Sequence, residues 1–224
     1  MIGTIAQRSS ELGPLGSYDP SYNRPSYNDF LNATWSFELI RPSCAQYVPA
    51  FEEAIEALRV LQRLVSETGN NRCLLRDTEV GLGPVVQFER ALFAKQPEHE
   101  SDARLQESLA WPVPYSSAKR FIYASARHCF APLLAYHANG YAIAPVDLDT
   151  QLRGSIVEVS FTLRHHTLRT YDCDQFRAHF DKIVVLHPGP RCTRPLKFNE
   201  ARGGDTLDRG SPDDVWFATQ VPHD

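Results

Sequence analysis

The sequence lacks the features that mark several large classes of protein. It has no run of about 18 apolar residues, so it offers no membrane-spanning helix, and residues 1–8 lack the apolar stretch of a secretory signal peptide. The five cysteines are an odd number, widely spread and without a C-x-x-C pair, which argues against a disulfide framework. They predict an intracellular protein, cytoplasmic or nuclear, with reduced thiols, and one loose disulfide in a secreted protein is the alternative.

The chain also lacks an excess of basic charge and the common catalytic motifs. Its 23 Lys and Arg against 27 Asp and Glu give a net charge of −4, so nucleic-acid affinity would require a local basic patch. There is no G-x-S-x-G nucleophile motif, and residues 81–84 (GLGP) lack the ending of a phosphate-binding loop. His128 and Cys129 are strand neighbours whose side chains would point to opposite faces. We therefore predict a non-enzymatic protein without a cofactor.

The composition changes along the chain and predicts one domain with loosely structured ends. Residues 1–32 are rich in Pro, Gly and Tyr without a helix or strand period, which predicts a flexible arm. Residues 33–196 form the predicted domain, and 42% hydrophobic residues in the chain are enough for one buried core. Residues 197–224 turn to Arg, Gly, Asp and Pro and predict a poorly ordered C-terminal tail.

Hydrophobic periodicity inside the domain predicts strands around one long helix. Trp35, Phe37 and Leu39 alternate with polar residues as in a half-buried strand, and residues 50–67 place apolar side chains at the spacing of an amphipathic helix. Further strands are predicted at residues 119–127, on both sides of Asn139-Gly140, at 156–163 and at 174–186. The last two form a long antiparallel hairpin. The expected fold is α+β but mainly β, an OB-like, five-stranded, partly open antiparallel barrel with an inserted helix.

Basic and aromatic residues occupy the outward positions of the predicted strands and their turns. Basic side chains that follow phosphates and aromatic rings that stack on bases are what a groove for single strands requires. The predicted nucleic-acid-binding residues are Lys119, Arg120, Tyr123, Arg127, Tyr136, Tyr141, Arg153, Arg164, Arg169, Tyr171 and Arg177. An ordinary solvated sheet face carries the same residue types, and from composition this alternative stays open.

Two other functions remain open from the residues alone. His179 and Asp181 have the H-x-D spacing of a facial iron triad, with His223 as a distal third ligand, and indicate a metal-dependent, oxygenase-like enzyme. Exposed histidines on a sheet face are the simpler interpretation of the same spacing. The third alternative is a β-rich protein–protein interaction module that uses the Tyr-bearing arm and Trp216-Phe217 as contact points.

The order of the predicted elements follows the layout of a known family over about residues 33–190. A strand at 34–40 is followed by the long helix, middle strands surround the turn at Asn139-Gly140, and a closing hairpin spans 154–163 and 176–186. This layout resembles the OB-fold single-stranded DNA-binding proteins of phage-type replication systems. The resemblance implies largely sequence-independent binding of single strands, DNA in particular, without metal, and often as a homodimer. It also implies that the tail, here around residues 213–217, recruits DNA replication or repair proteins.

Overall fold

The structure of the chain is a computed structural model that describes residues 1–8, 10–19, 30–68, 71–72, 74–77, 83–95, 110–126 and 128–190. The predicted tail at 197–224 lies outside these residues, as do Tyr22, Tyr27 and Arg127. Among the described helices, none combines the length and apolar character needed to cross a membrane.

Within the described residues, most of the secondary structure is β. The strands are β1 (Ile2–Ile5), β2 (Thr34–Ile40), β3 (Asn71–Arg72), β4 (Leu75–Asp77), β5 (Pro84–Ala91), β6 (Phe93–Lys95), β7 (His128–Phe130), β8 (Ala135–His137), β9 (Ile156–Leu168) and β10 (Cys173–His187). Strands β6 and β7 form a separate pair, and the others form one sheet. In that sheet, β1, β2, β5, β10 and β9 close in a ring. The predicted mainly β, OB-like α+β fold is thus confirmed.

The ring differs from the prediction in two details. It is closed, whereas the sequence predicted a partly open barrel, and the β5–β10 pairing that closes it is parallel. The other four pairings of the ring are antiparallel, as predicted. Parallel strands need a long connection, so no hairpin turn in the sequence marks this contact.

The described α-helices are α1 (Val48–Val65), α2 (Tyr115–Ser125) and α3 (Leu148–Leu152). Helix α1 buries Phe51, Ile55 and Leu58 and confirms the helix predicted at 50–67, two residues earlier at each end. Helix α2 corrects a prediction, because residues 119–127 were expected to be a strand. It buries Phe121 and Ala124 at helical spacing, but its other buried residues are serines, which left a weak apolar pattern in the sequence.

The described part of the N-terminal segment belongs to the core, although the sequence predicted a flexible arm without regular structure. Strand β1 lies between β2 and β9 in the ring. Leu12, Leu15 and Tyr18 are buried, and the Tyr18 ring stacks on Phe30 at 3.8 Å. Gly16 has a φ of +55°, and a Cβ there would lie 2.5 Å from the carbonyl oxygen of Thr34. Only glycine fits this close approach of two backbones. The division of the chain into domains stays a prediction.

An aromatic cluster connects α2 to the ring. The ring of Phe130 on β7 lies 4.9 to 5.9 Å, centroid to centroid, from the rings of Trp35, Trp111, Phe93 and Phe121. Edge-on and tilted aromatic pairs contribute about 0.5–1.5 kcal/mol each beyond area burial. The cluster therefore packs α2 and β7 against Trp35 of β2, one of the strands of the ring.

Strands β9 and β10 form the predicted long hairpin. Their pairing runs from Cys173 opposite Leu168 to His187 opposite Ile156. As predicted, Phe176, Ala178 and Phe180 are buried on the inner side of β10. The connecting turn contains Asp172 at a φ of 44°, a left-handed conformation that Asp tolerates better than most residues. The two strands are long enough to carry a row of side chains on their outer side.

Candidate nucleic-acid interface

The outward side of the β9–β10 hairpin brings several predicted site residues together. Arg164 lies directly opposite Arg177, and this pair is flanked by Thr162 opposite His179 and His166 opposite Gln175. Because side chains alternate along a strand, all six point away from the core residues Phe176, Ala178 and Phe180. We call this surface the hairpin face, and its residues are Thr162, Arg164, His166, Gln175, Arg177, His179 and Lys182.

Lys182 joins the hairpin face because a β-bulge shifts the alternation of β10. Phe180 pairs with Phe161 and Lys182 pairs with Ser160, so Asp181 is the extra residue. Beyond the bulge Ile183 is buried and Lys182 is exposed.

Two hydrogen bonds hold the bulge in place. The Arg90 guanidinium donates to the carbonyl oxygen of Asp181 at 3.0 Å, and the Thr162 hydroxyl donates to its carboxylate at 3.2 Å. Lys182 is not among the site residues predicted from the sequence. The sequence signal for Lys182 is a change in which positions of β10 are buried. The buried positions are even-numbered from Asp174 to Phe180 and odd-numbered from Ile183 onward.

Aromatic side chains lie at both ends of the hairpin face. Tyr171, in the turn between β9 and β10, is 67% exposed, and Arg169 beside it is also exposed. At the other end, the Lys182 ammonium lies 5.0 Å from the centroid of the Tyr136 ring on β8. Tyr141 follows the predicted turn at Asn139-Gly140 and is 73% exposed. Four cations and two rings thus follow one hairpin from its turn to β8.

The electrostatics of the hairpin face are dominated by its two opposed arginines. The Arg177 guanidinium has an ion pair of 3.1 Å with Glu89 on β5. Partial burial lowers the pKa of His179, and the charges of Arg164 and Arg177 lower it further. The carboxylates of Glu89 and Asp181 raise it by less. The neutral form of His179 is therefore favoured, as expected for a partly buried imidazole beside two arginines.

A buried carboxylate fixes the base of the hairpin. Asp174 on β10 is fully buried, and one of its oxygens accepts hydrogen bonds from the Ser66 hydroxyl (2.9 Å), the backbone N–H groups of Glu67 (3.0 Å) and Thr68 (2.8 Å), and the Thr68 hydroxyl (2.7 Å). The other oxygen lies 2.6 Å from Nε2 of His165. Burial alone would raise the pKa of Asp174, but the hydrogen bonds outweigh it and hold the pKa below its usual range. The hairpin is thereby tied to the segment that follows α1.

Five of the predicted site residues lie elsewhere in the structure or outside its described part. Lys119, Arg120 and Tyr123 are on α2 and not on a strand, and the Arg120 guanidinium donates to the Tyr18 hydroxyl at 2.9 Å. Arg153 is 11% exposed; it pairs with Asp149 at 2.7 Å and donates to the carbonyl oxygens of Gln7 and Ser10. Its guanidinium is therefore occupied in holding the N-terminal segment against α3. Arg127 lies outside the described residues.

The structure bears on the two alternative functions only in part. Within the described residues, no group of three or more His, Cys, Asp and Glu side chains is placed to hold a metal ion. His223 lies outside these residues, so the metal-dependent enzyme stays an untested prediction. For the interaction module, Trp216 and Phe217 also lie outside them, whereas Tyr18 of the predicted arm is buried and is not available as a contact point.

Comparison with known proteins gives matches at the level of structure. No protein-family model and no curated protein matches the chain. The crystal structure of gp2.5, a single-stranded DNA-binding protein encoded by bacteriophage T7, is 10% identical; the match covers 89% of this chain and 96% of that one, with a TM-score of 0.45. The single-stranded DNA-binding protein from bacteriophage Enc34 is 8% identical; 90% of this chain and 84% of that one are covered, with a TM-score of 0.43. Both are phage single-stranded DNA-binding proteins, the class that the layout of the sequence resembles. Both TM-scores are below 0.5 and neither identity exceeds 10%, so the function of this chain has to follow from its own residues.

Proposed function

We propose that this chain is a non-enzymatic protein that binds single-stranded nucleic acid along the hairpin face. The observation that carries the proposal is the direct cross-strand pairing of Arg164 with Arg177, in line with Lys182. Like charges directly opposite each other destabilise a sheet. A polyanion that lies over the two guanidinium groups removes this repulsion and gains charge-assisted hydrogen bonds.

The length of the site favours a chain of nucleotides over a small anion. From Asp172 to Lys182, β10 and its turn extend about 30 Å, because a strand rises about 3.3 Å per residue. Arg169 and Tyr171 lie at one end of this length, and Tyr136 lies at the other. Cations that contact phosphates and rings that stack on any base give binding with little sequence preference.

A salt titration tests the proposal directly. We expect a fluorescent single-stranded oligonucleotide of about 20 nucleotides, of DNA or RNA, to bind with a log–log salt slope of about −3, since four cations at about 0.7 each are released from a single strand. The four are Arg164, Arg169, Arg177 and Lys182. If no binding appears at about 20 mM salt, where counterion release favours it most, the proposal is wrong. DNA and RNA of one sequence, titrated in parallel, show which is preferred.

Binding should also take up a proton at His179. In the free protein the pKa of His179 is lowered by burial, by Arg164 and by Arg177, while Glu89 and Asp181 act against this. A bound phosphate favours the charged imidazole and raises the pKa, so the complex holds more proton than the free protein. Affinity should therefore rise about three- to tenfold between about pH 7.5 and pH 5.5, since one pKa unit corresponds to a factor of ten.

The measurement is the dissociation constant across this pH range for the unaltered protein and for His179→Gln. In His179→Gln, the rise in affinity on lowering the pH should be at most half of the rise in the unaltered protein. His187→Gln is the matched control, because His187 is exposed at the far end of β10 and its Nδ1 donates to the carbonyl oxygen of the adjacent Pro188 at 3.0 Å. A profile unchanged by His179→Gln would remove His179 from the binding site.

A further inference from the structure

The outer side of the sheet changes from basic to acidic next to the hairpin face. On β5, Glu89 lies beside His179 of β10; on β2, Ser36 lies beside Glu89; and Glu11 bridges to Ser36. Along β2, Glu38 is the next outward residue after Ser36, because Phe37 is buried. Three carboxylates, those of Glu11, Glu38 and Glu89, thus lie on the side of β10 away from β9.

These carboxylates are held in position by specific contacts. Glu89 pairs with Arg177 at 3.1 Å, and the Ser36 hydroxyl donates to Glu11 at 3.3 Å. Glu38 lies 3.8 Å from the guanidinium of Arg76, which offsets part of its charge. Arg177 thus offsets Glu89 and Arg76 offsets part of Glu38, whereas the contact given for the Glu11 carboxylate is the neutral Ser36 hydroxyl, which leaves its negative charge in place.

Strand spacing sets how far the acidic side lies from the basic one. Neighbouring strands are about 4.8 Å apart, so β5 lies about 5 Å from β10, and β2 lies about 10 Å from it. A duplex carries two phosphate backbones separated by grooves about 6 and 12 Å wide. If one backbone follows the hairpin face and the duplex extends toward β5, the other backbone comes to lie over β5, β2 and Glu11. A single strand has no second backbone and avoids this repulsion.

We propose that Glu11, Glu38 and Glu89 make the hairpin face selective for single strands by repelling the second backbone of a duplex. This inference rests on the proposed function and adds the residues that determine its specificity. Discrimination by a repulsive element against the wrong partner is a common route to specificity, because it leaves contacts to the correct partner intact. Glu89 has a second effect, since it also competes with phosphate for Arg177.

The test compares single-stranded and double-stranded oligonucleotides of one sequence at about 100 mM salt, where the Debye length is about 10 Å. Glu11→Gln and Glu38→Gln should each raise duplex affinity about three- to fivefold, the effect of one unit charge a few ångströms away in water. Their single-strand affinity should change by less than about 1.5-fold, because a strand on the hairpin face lies about a Debye length away. Glu89→Gln should raise both affinities, because it also frees Arg177.

The matched control is Glu56→Gln on α1, an equal charge change at an exposed side chain that pairs with Arg63 at 2.9 Å. It should leave both affinities unchanged. This inference is wrong if Glu11→Gln and Glu38→Gln raise the affinities for single strands and duplex equally. It is also wrong if they do not raise the affinity for duplex. In both cases the proposed function stands. Duplex binding by the unaltered protein as tight as single-strand binding would overturn it too. Failure of the unaltered protein to bind single strands would instead overturn the proposed function itself.

Discussion

Replacing Arg164 and Arg177 together with alanine should weaken single-strand binding by about 100-fold at about 50 mM salt. A hydrogen bond to a charged group contributes about 1.5–3 kcal/mol, so each arginine accounts for about tenfold or more. The two side chains are exposed and lie opposite each other, so a bound backbone contacts both. The loss should be similar for all base sequences, because these side chains contact phosphates.

The same variant should change two further measurements. The salt slope should fall from about −3 to about −1.5, since two of four phosphate contacts are removed at about 0.7 each. The melting temperature should change little, because removing two opposed like charges relieves repulsion in the sheet and offsets the loss of the partly exposed Arg177–Glu89 ion pair. This combination separates a lost binding contact from a damaged fold, in which affinity and melting temperature fall together.

The matched control is Arg59→Ala with Arg63→Ala on α1. It removes the same charge from exposed side chains on a helix and leaves the hairpin face intact. It should retain affinity within about twofold, because these two side chains lie on α1 and are not part of the hairpin face. If the control variant loses as much affinity as the hairpin variant, binding depends on overall charge and the hairpin face is not the site.

The hairpin that carries the site could be predicted because its sequence pattern is local. Inward Val157 and Val159 alternate with polar residues, and the same holds for Phe176, Ala178 and Phe180. In a long antiparallel pair this alternation also determines which side chains point outward. The outward orientation of Arg164 and Arg177 therefore followed from the sequence alone.

The elements that were missed depend on distant contacts. Strand β1 has four residues and gains its stability from β2 and β9, which are more than 30 residues away in the chain. Helix α2 contains Phe121, Ile122 and Tyr123, which favour strands, and its burial against the aromatic cluster overrides that preference. Neither contact leaves a periodic signal in its own segment.

Only some of the residues of the candidate site could be predicted from the sequence, because the others also depend on distant contacts. Charge and aromatic character mark a surface, but they do not show which charges the protein already uses. Arg153 pairs with Asp149 one helical turn away, but it also donates to the carbonyls of Gln7 and Ser10, which lie in a distant segment that no local pattern connects to it. Lys182 was missed because a single extra residue, Asp181, reverses the faces of the strand.

Replacing Asp174 with alanine should have the largest effect on the stability of the hairpin. The substitution leaves the backbone N–H groups of Glu67 and Thr68 and the hydroxyl of Ser66 without their acceptor, next to a buried part of the sheet. Buried donors without a partner are among the few causes of large destabilisation. We expect the melting temperature to fall by about 5–10 °C, measured by thermal unfolding at about pH 7.

The pH dependence of this loss identifies the carboxylate as its cause. The pKa of Asp174 is lower in the folded protein than its ordinary value of 3.8, because His165, Thr68 and Ser66 donate hydrogen bonds to its charged form. Its stabilisation is therefore complete above the unfolded pKa and is lost as the pH falls through the lower, folded one. The difference in melting temperature between the unaltered protein and Asp174→Ala should be constant from about pH 7 to pH 5 and should shrink only below pH 3.8.

The matched control for this prediction is Asp172→Asn, two residues earlier in the turn. It makes the same change in charge at an exposed position whose left-handed φ of 44° Asn adopts as readily as Asp. Its melting temperature should stay within about 2 °C of the unaltered protein, as for most surface substitutions. If Asp174→Ala unfolds no earlier than this control, the segment after α1 does not depend on Asp174 and the base of the hairpin is held by its backbone pairing alone.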